Sequence, residues 1–128
     1  MSISIQNQFI ASVQQNYERF AFCSKFEKPS FRNQGFLSSA KMVAPEGTIE
    51  ILCGPPEYHA AIFIECAGNH KRWGLADLIQ FESVKNWLDS YQSSTKNQTE
   101  VEADIEWLFR LLSEGLKGIN EFTWIQPL

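Results

Sequence analysis

Apolar residues recur every three or four positions in three stretches of the chain, residues 4–17, 81–91 and 99–119. This spacing places them on one face of a helix and leaves the polar residues on the opposite face. The pattern therefore predicts one N-terminal helix and two C-terminal helices. The longest apolar stripe belongs to the third stretch and consists of Val101, Ile105, Leu108, Leu112, Leu116 and Ile119.

The third helix also carries signals for both of its ends. Thr99 is followed three residues later by Glu102, which is the spacing of a capping box that satisfies free backbone N–H groups in the first turn. Gly118 lies where a glycine commonly terminates a helix. Residues 92–98 are rich in serine, threonine and asparagine and indicate a linker between the second helix and the third.

In the middle of the chain the period changes to two, which is typical of strands with one buried face. Residues 48–67 contain two alternating arms around turn-forming glycine and proline residues, which favours a β-hairpin with a loop of about six residues. Bringing the two apolar faces together predicts three facing pairs: Cys53 with Ala60, Ile51 with Ile62, and Ile49 with Ile64.

The segments beside the hairpin carry weaker signals. The alternating phenylalanines of residues 20–26 predict a short strand. Residues 27–35 contain proline, asparagine and glycine and predict a loop, and residues 36–43 are extended again. Residues 73–79 are compatible with a last strand or the start of a helix, and we favour a helix from near Leu75.

This order of elements contains no repeating β-α-β unit, which excludes a parallel α/β architecture. It predicts one α+β domain spanning residues 1–128, with an antiparallel sheet of about four strands in which the hairpin is central. The N-terminal helix and the C-terminal helices are predicted to pack on one face of that sheet.

Composition supports a folded chain outside the membrane. With 44% hydrophobic residues the chain has ample material for a core. The longest apolar run, residues 60–64, is far shorter than the roughly 20 residues that span a bilayer. The N-terminus lacks the basic start and the long apolar stretch of a secretory signal. We therefore expect a cytoplasmic protein whose three cysteines are reduced.

Candidate metal ligands and catalytic groups are few. Cys53, His59, Cys66 and His70 are separated by five, six and three intervening residues, whereas zinc motifs bring two ligands within two to four residues at each end. The sequence predicts no metal, no cofactor and no catalytic residue, and leaves open whether these four side chains meet in the fold. A histidine base at His59 with a cysteine nucleophile is the remaining catalytic alternative.

Charge is distributed unevenly along the chain, whose 11 basic and 15 acidic residues give a net charge of −4. Residues 1–75 hold six acids and seven bases, a balance of +1, and residues 76–128 hold nine acids and four bases, a balance of −5. Carboxylates that steer association and tryptophans that anchor it suit a basic protein partner. The predicted partner-binding residues on the second and third helices are Glu100, Asp104, Glu106, Trp107, Asp89 and Trp87.

Structural explanations for the same residues remain open. Glu106 and Arg110 have the i, i+4 spacing of an ion pair within a helix, and Trp87 and Trp107 could cover the edge of the core. The basic loop at residues 69–73 could meet a phosphate, but a net acidic chain is not expected to bind nucleic acid directly, because that binding requires many neutralised phosphates.

The layout of residues 48–119 resembles the immunity proteins of bacterial polymorphic toxin systems, in particular those of contact-dependent growth inhibition. A β-hairpin leads through RWGLADLIQFESVKNWL to a capped helix, TEVEADIEWLFRLL. The resemblance implies a protein without enzymatic activity that neutralises one cognate toxin domain, commonly a basic nuclease. No residue here inherits a role from that family.

Two other functions remain open from the sequence. One is a small enzyme or ligand-binding domain with a pocket between sheet and helices and with His59, His70 or a cysteine at its rim. The other is a structural subunit of a larger assembly.

Overall fold

The three helices predicted from the hydrophobic spacing are confirmed by the computed structural model, which describes residues 4–55, 59–91 and 99–127. The predicted start of a helix at Leu75 is confirmed as well. The α-helices are α1 (Ile5–Arg19), α2 (Leu75–Leu78), α3 (Glu82–Ser90) and α4 (Glu100–Arg110). Shorter turns are 3₁₀ at Ala21–Lys25 and Asn120–Phe122, and a π-helical turn at Leu111–Gly115 extends α4.

An antiparallel sheet of five strands completes an α+β fold, one strand more than the approximate number predicted. Each strand pairs with the next one along the chain, so the spatial order equals the sequence order. The strands are β1 (Ser30–Gln34), β2 (Leu37–Ala44), β3 (Gly47–Cys53), β4 (Ala60–Cys66) and β5 (Arg72–Gly74).

The central hairpin of β3 and β4 has the predicted register. Cys53 pairs with Ala60, Ile51 with Ile62, and Ile49 with Ile64. The register is determined locally, because a shift by one residue would turn every one of these apolar side chains toward the opposite face. Part of the connecting loop, residues 56–58, lies outside the described residues.

The predicted strand at residues 20–26 is wrong. The chain forms the 3₁₀ turn Ala21–Lys25 there, and Phe22, Cys23 and Phe26 are all buried. Alternation would have placed Cys23 on the face opposite the phenylalanines. The aromatic rings instead gather around α4 and the C-terminal segment, with Phe22 6.1 Å from Phe109 between ring centroids. Tertiary packing of a phenylalanine-rich segment therefore overrides its apparent period.

The predicted loop at residues 27–35 is also wrong in part, because β1 occupies most of it. β1 is an edge strand whose residues are mostly exposed, so it shows little alternation of apolar and polar positions. Gly35, with a φ of +63°, begins a two-residue turn that joins Gln34 to Leu37. A positive φ at the first turn position is the usual role of glycine in such hairpins.

The start of α4 is capped from Thr99, as predicted. Its Oγ1 accepts a hydrogen bond from the backbone N–H of Glu102 at 3.2 Å, and donates one to the Glu102 carboxylate at 2.9 Å. The helix ends earlier than predicted: its π-helical turn closes at Gly115 with Leu116 as the C-cap, and Gly118, with a φ of +82°, lies two residues further on in the turn that follows. The predicted linker at residues 92–98 lies outside the described residues.

One face of the sheet packs against the helices, and the predicted stripe of α4 and its extension is buried there along its whole length. α1 and α4 lie side by side above the sheet, with their N-termini at the same end of the molecule: Gln6 contacts the β1–β2 turn, and Asp104 contacts the start of β4. The opposite face carries charged residues, including the ion pair of Arg72 with Glu50 at 3.5 Å.

Among the described helices, none combines the length and the apolar character needed to cross a membrane.

Candidate functional site

Two of the predicted partner-binding residues come together as an aromatic pair on α3 and α4. The rings of Trp87 and Trp107 lie 5.8 Å apart between centroids, and Tyr91 lies 5.0 Å from Trp87. All three side chains are partly exposed. Gly115 makes room for this arrangement, because a Cβ there would lie 3.2 Å from the Trp87 ring. The pair forms an aromatic ridge, half in the core and half at the surface.

The predicted acidic residues Glu100, Asp104 and Asp89 keep accessible carboxylates. Glu100 lies in the first turn of α4 and Asp89 in the last turn of α3, and both are exposed. The side chain of Asp104 is 35% exposed. Together with Trp87 and Trp107 these three residues define what we call the acidic face.

Asp104 also joins α4 to the central hairpin. Its Oδ2 lies 3.2 Å from Nδ1 of His59 and accepts a hydrogen bond from the backbone N–H of Ala60 at 3.4 Å. The His59 side chain is 65% exposed. The acidic face thus continues from α4 onto the loop that precedes β4.

Glu106 does not belong to the acidic face, contrary to the prediction. Its side chain is buried and points toward α1, with 4% of the residue exposed. The carboxylate pairs with Nε of Arg110 at 3.1 Å and with Nη1 of Arg19 at 3.6 Å. The i, i+4 spacing of Glu106 and Arg110, noted as the structural alternative, was the sequence signal for this role.

A second surface, which the sequence analysis missed, lies at the end of the molecule where α1 and α4 begin. Gln6 Nε2 donates a hydrogen bond of 2.8 Å to the carbonyl of Gly35, which ties α1 to the β1–β2 turn. Leu37 lies directly over Gly54, since a Cβ on Gly54 would be 2.8 Å from the Cδ1 of Leu37. We call this region the hairpin-loop end. It comprises residues 4–6, 35–37, 54–55, 59–60 and 99–104.

Within the described residues, the large apolar side chains that are exposed all belong to the hairpin-loop end. They are Ile5, Phe36 and Leu37, and Phe36 is 73% exposed. The sequence held one clue to this exposed apolar surface. Phe36 follows Gly35 at the second position of a two-residue turn, where polar residues and glycine predominate.

The hairpin-loop end is also acidic. Its residues include the carboxylates of Glu100, Glu102 and Asp104, and they include no lysine or arginine. Asp104 and His59 connect this end to the acidic face.

The four candidate metal ligands do not meet in the fold. Cys53 and His59 lie at the loop end of the β3–β4 hairpin, whereas Cys66 and His70 lie at its opposite end. A strand of this length separates the two pairs by about 20 Å. Throughout residues 4–55, 59–91 and 99–127, no cluster of three or more histidine, cysteine, aspartate or glutamate side chains could hold a metal ion.

Two of the three cysteines are poor nucleophiles by environment. Burial raises the pKa of Cys23 to about 12. Burial, and secondarily the negative charge of Asp104, also raise the pKa of Cys53. Because the thiolate is the reactive form, Cys53 is not activated by its position near the His59–Asp104 pair.

Native-state alkylation is expected to separate the cysteines. At about pH 8, iodoacetamide should modify the partly exposed Cys66 and spare Cys23 and Cys53, whose thiols are buried and protonated. Mass spectrometry of the intact and digested protein measures the extent of alkylation at each cysteine. A denatured sample is the control, in which all three cysteines should react. Equal labelling of Cys53 and Cys66 in the native protein would contradict the expectation.

The depressions described on the surface do not involve the candidate catalytic histidines. Three depressions of about 330–340 Å³, at the lower end of the roughly 300–1,000 Å³ of ligand pockets, flank α1. One of about 120 Å³ lies on the open face of the sheet. None of these four is lined by a histidine, and the one cysteine among their lining residues is the inert Cys23.

Comparisons with protein-family models, with curated proteins and with solved structures found no match to this chain.

Proposed function

We propose that this protein is a bacterial immunity protein that binds and neutralises a cognate toxin domain, a basic nuclease, in the cytoplasm. It acts without enzymatic activity, by covering the toxin's active site or an adjacent surface. The observation that carries the proposal is the acidic face, where Glu100 and Asp104 share one side of α4 with Trp107, whose ring meets that of Trp87.

This combination has the properties of a protein-binding surface. Interface energy concentrates in a few aromatic or arginine side chains that are already partly ordered in the free protein. The ridge offers such side chains, because the contact between Trp87 and Trp107 limits their freedom before any partner arrives. The carboxylates of the acidic face attract a basic toxin domain over long range. The same charge repels nucleic acid, so the face attracts the nuclease and not the nucleic acid that the nuclease cleaves.

The test is recovery and release of the toxin. The tagged protein is captured from extract of its native cells at moderate salt, and any fragment that co-elutes near stoichiometry is identified by mass spectrometry. We expect a basic domain that stops growth when expressed alone, cleaves nucleic acid in vitro, and loses both effects when this protein is co-expressed. A retained metabolite or metal with no protein partner would overturn the proposal in favour of a ligand-binding domain.

Charge reversal on the acidic face is expected to slow association with the toxin domain. The double variant Glu100→Lys, Asp104→Lys replaces one exposed and one partly exposed carboxylate with cations, so the association rate at low salt should fall about tenfold or more and depend less on salt. Stopped-flow or biolayer kinetics over a range of salt concentrations measure both effects.

The matched control is Glu27→Lys, Glu46→Lys, which makes the same change in net charge with exposed residues at the opposite end of the sheet. Thermal unfolding of both variants verifies that they fold, since Asp104 also holds Ala60. Equal association rates for the two double variants would place the acidic face outside the interface, even if the toxin is neutralised.

A further inference from the structure

Phe36 is an exposed aromatic residue in a turn that holds it in place. It is 73% exposed, yet it occupies the second position of a two-residue turn whose first residue, Gly35, has a φ of +63°. The hydrogen bond from Gln6 to Gly35 fixes this turn against α1. A ring presented on a fixed turn loses little conformational entropy when it is buried by a partner.

The apolar surroundings of Phe36 make it more than an isolated surface residue. Single exposed apolar residues are common on proteins, whereas contiguous apolar patches indicate interaction sites. Ile5 and Phe36 line one shallow depression of about 330 Å³. Leu37 follows Phe36 and packs over Gly54 on the other face of the sheet, because Ser38, Ala40 and Met42 are the β2 residues that face the helices. Among the described residues these three are the exposed large apolar side chains, and all of them lie at the hairpin-loop end.

The charge around this patch selects the kind of partner. The described residues of the hairpin-loop end contribute three carboxylates and no lysine or arginine. An anionic lipid surface or a nucleic acid would be repelled by this charge. A basic protein with an apolar pocket complements both the patch and the carboxylates at the same end of the molecule.

We propose that Phe36 is a second apolar anchor of the interface, inserting into a pocket of the basic toxin domain while the carboxylates at the start of α4 face its cations. This inference rests on the proposed function and extends it, because it adds the β1–β2 turn to the surface formed by the acidic face. Ile5 lines the same depression and helps to exclude water from the anchor.

The test combines affinity with site-specific crosslinking, using the toxin domain recovered by the capture experiment. Phe36→Ala is expected to weaken binding about 30-fold or more, mainly through faster dissociation. The matched control is Glu46→Ala, which changes the second residue of the two-residue turn between β2 and β3, at the opposite end of the sheet. The affinity of the Glu46→Ala protein for the toxin domain should stay within about twofold of that of the unmodified protein, because residue 46 lies outside the proposed interface.

Crosslinking locates the contact independently of affinity. A photoreactive benzoylphenylalanine in place of Phe36 should crosslink to the toxin domain in cells, and the same group in place of Glu46 should not. Toxin neutralisation with unchanged Phe36→Ala affinity and no crosslink from position 36 would overturn this inference alone. A crosslink from position 36 to a second copy of the chain would overturn it as well, in favour of self-association. Absence of any toxin partner would overturn it together with the proposed function.

Discussion

Replacing Phe109 by alanine is expected to lower the free energy of unfolding by about 3–5 kcal/mol, the usual cost of removing a buried aromatic side chain. Phe109 has no exposed surface, and its ring lies 5.9 Å from that of Phe20 and 6.1 Å from that of Phe22. The substitution leaves a cavity where α1, α4 and the 3₁₀ turn meet, because the surrounding rings cannot close the gap. Urea unfolding followed by tryptophan fluorescence measures the change.

The same substitution at Phe36 provides the control. Because Phe36 is mostly exposed, Phe36→Ala is expected to change the free energy of unfolding by no more than about 0.5 kcal/mol. The pair therefore separates packing from binding: Phe109→Ala weakens folding, and Phe36→Ala weakens only the interface. A Phe109→Ala protein as stable as the parent would show that the aromatic cluster does not contribute to the core as described.

Replacing Glu106 by glutamine is expected to lower the free energy of unfolding by about 2–3 kcal/mol. Removing one partner of a buried ion pair leaves the other charge without compensation, which costs about 3–5 kcal/mol when that charge is fully buried. The expected cost is smaller here, because the Arg110 side chain retains 22% exposure and also contacts Glu114 at 3.5 Å. Thermal and urea unfolding of the variant, compared with the parent, measure the loss.

Glu114→Gln is the matched control, since Glu114 pairs with the same Arg110 but is 44% exposed. Exposed pairs of this kind contribute little, so the control should lose no more than about 0.5 kcal/mol. Glu106→Gln should leave association with the toxin domain unchanged, because its carboxylate faces α1 rather than the acidic face. Weaker toxin binding by a folded Glu106→Gln protein would return this residue to the interface.

Elements whose signal is local could be predicted from the sequence. The stripe that ends at Ile119 and the cap at Thr99 identified α4, since side chains a turn apart share one face whatever surrounds them. The register of Ile51 with Ile62 followed from alternation alone, because only one register buries both apolar faces.

Elements whose conformation depends on distant partners could not be predicted. Phe22 and Phe26 are buried against Phe109 and Trp124, which lie roughly 90 to 100 residues further along the chain. β1 exists because it pairs with β2 at the edge of the sheet, and an exposed edge strand shows no period of its own.

The candidate site, too, has features that could be predicted from the sequence and features that depend on tertiary packing. The sequence by itself determined that α4 is acidic along one flank and that tryptophans lie on α3 and α4, because helical spacing sets which residues share a face. Only the tertiary structure decided that Trp87 meets Trp107, that Glu106 turns inward to Arg19 and Arg110, and that Phe36 joins Ile5 at the hairpin-loop end. These outcomes depend on how helices and strands pack against one another, and that packing is set by contacts between segments that are far apart in the chain.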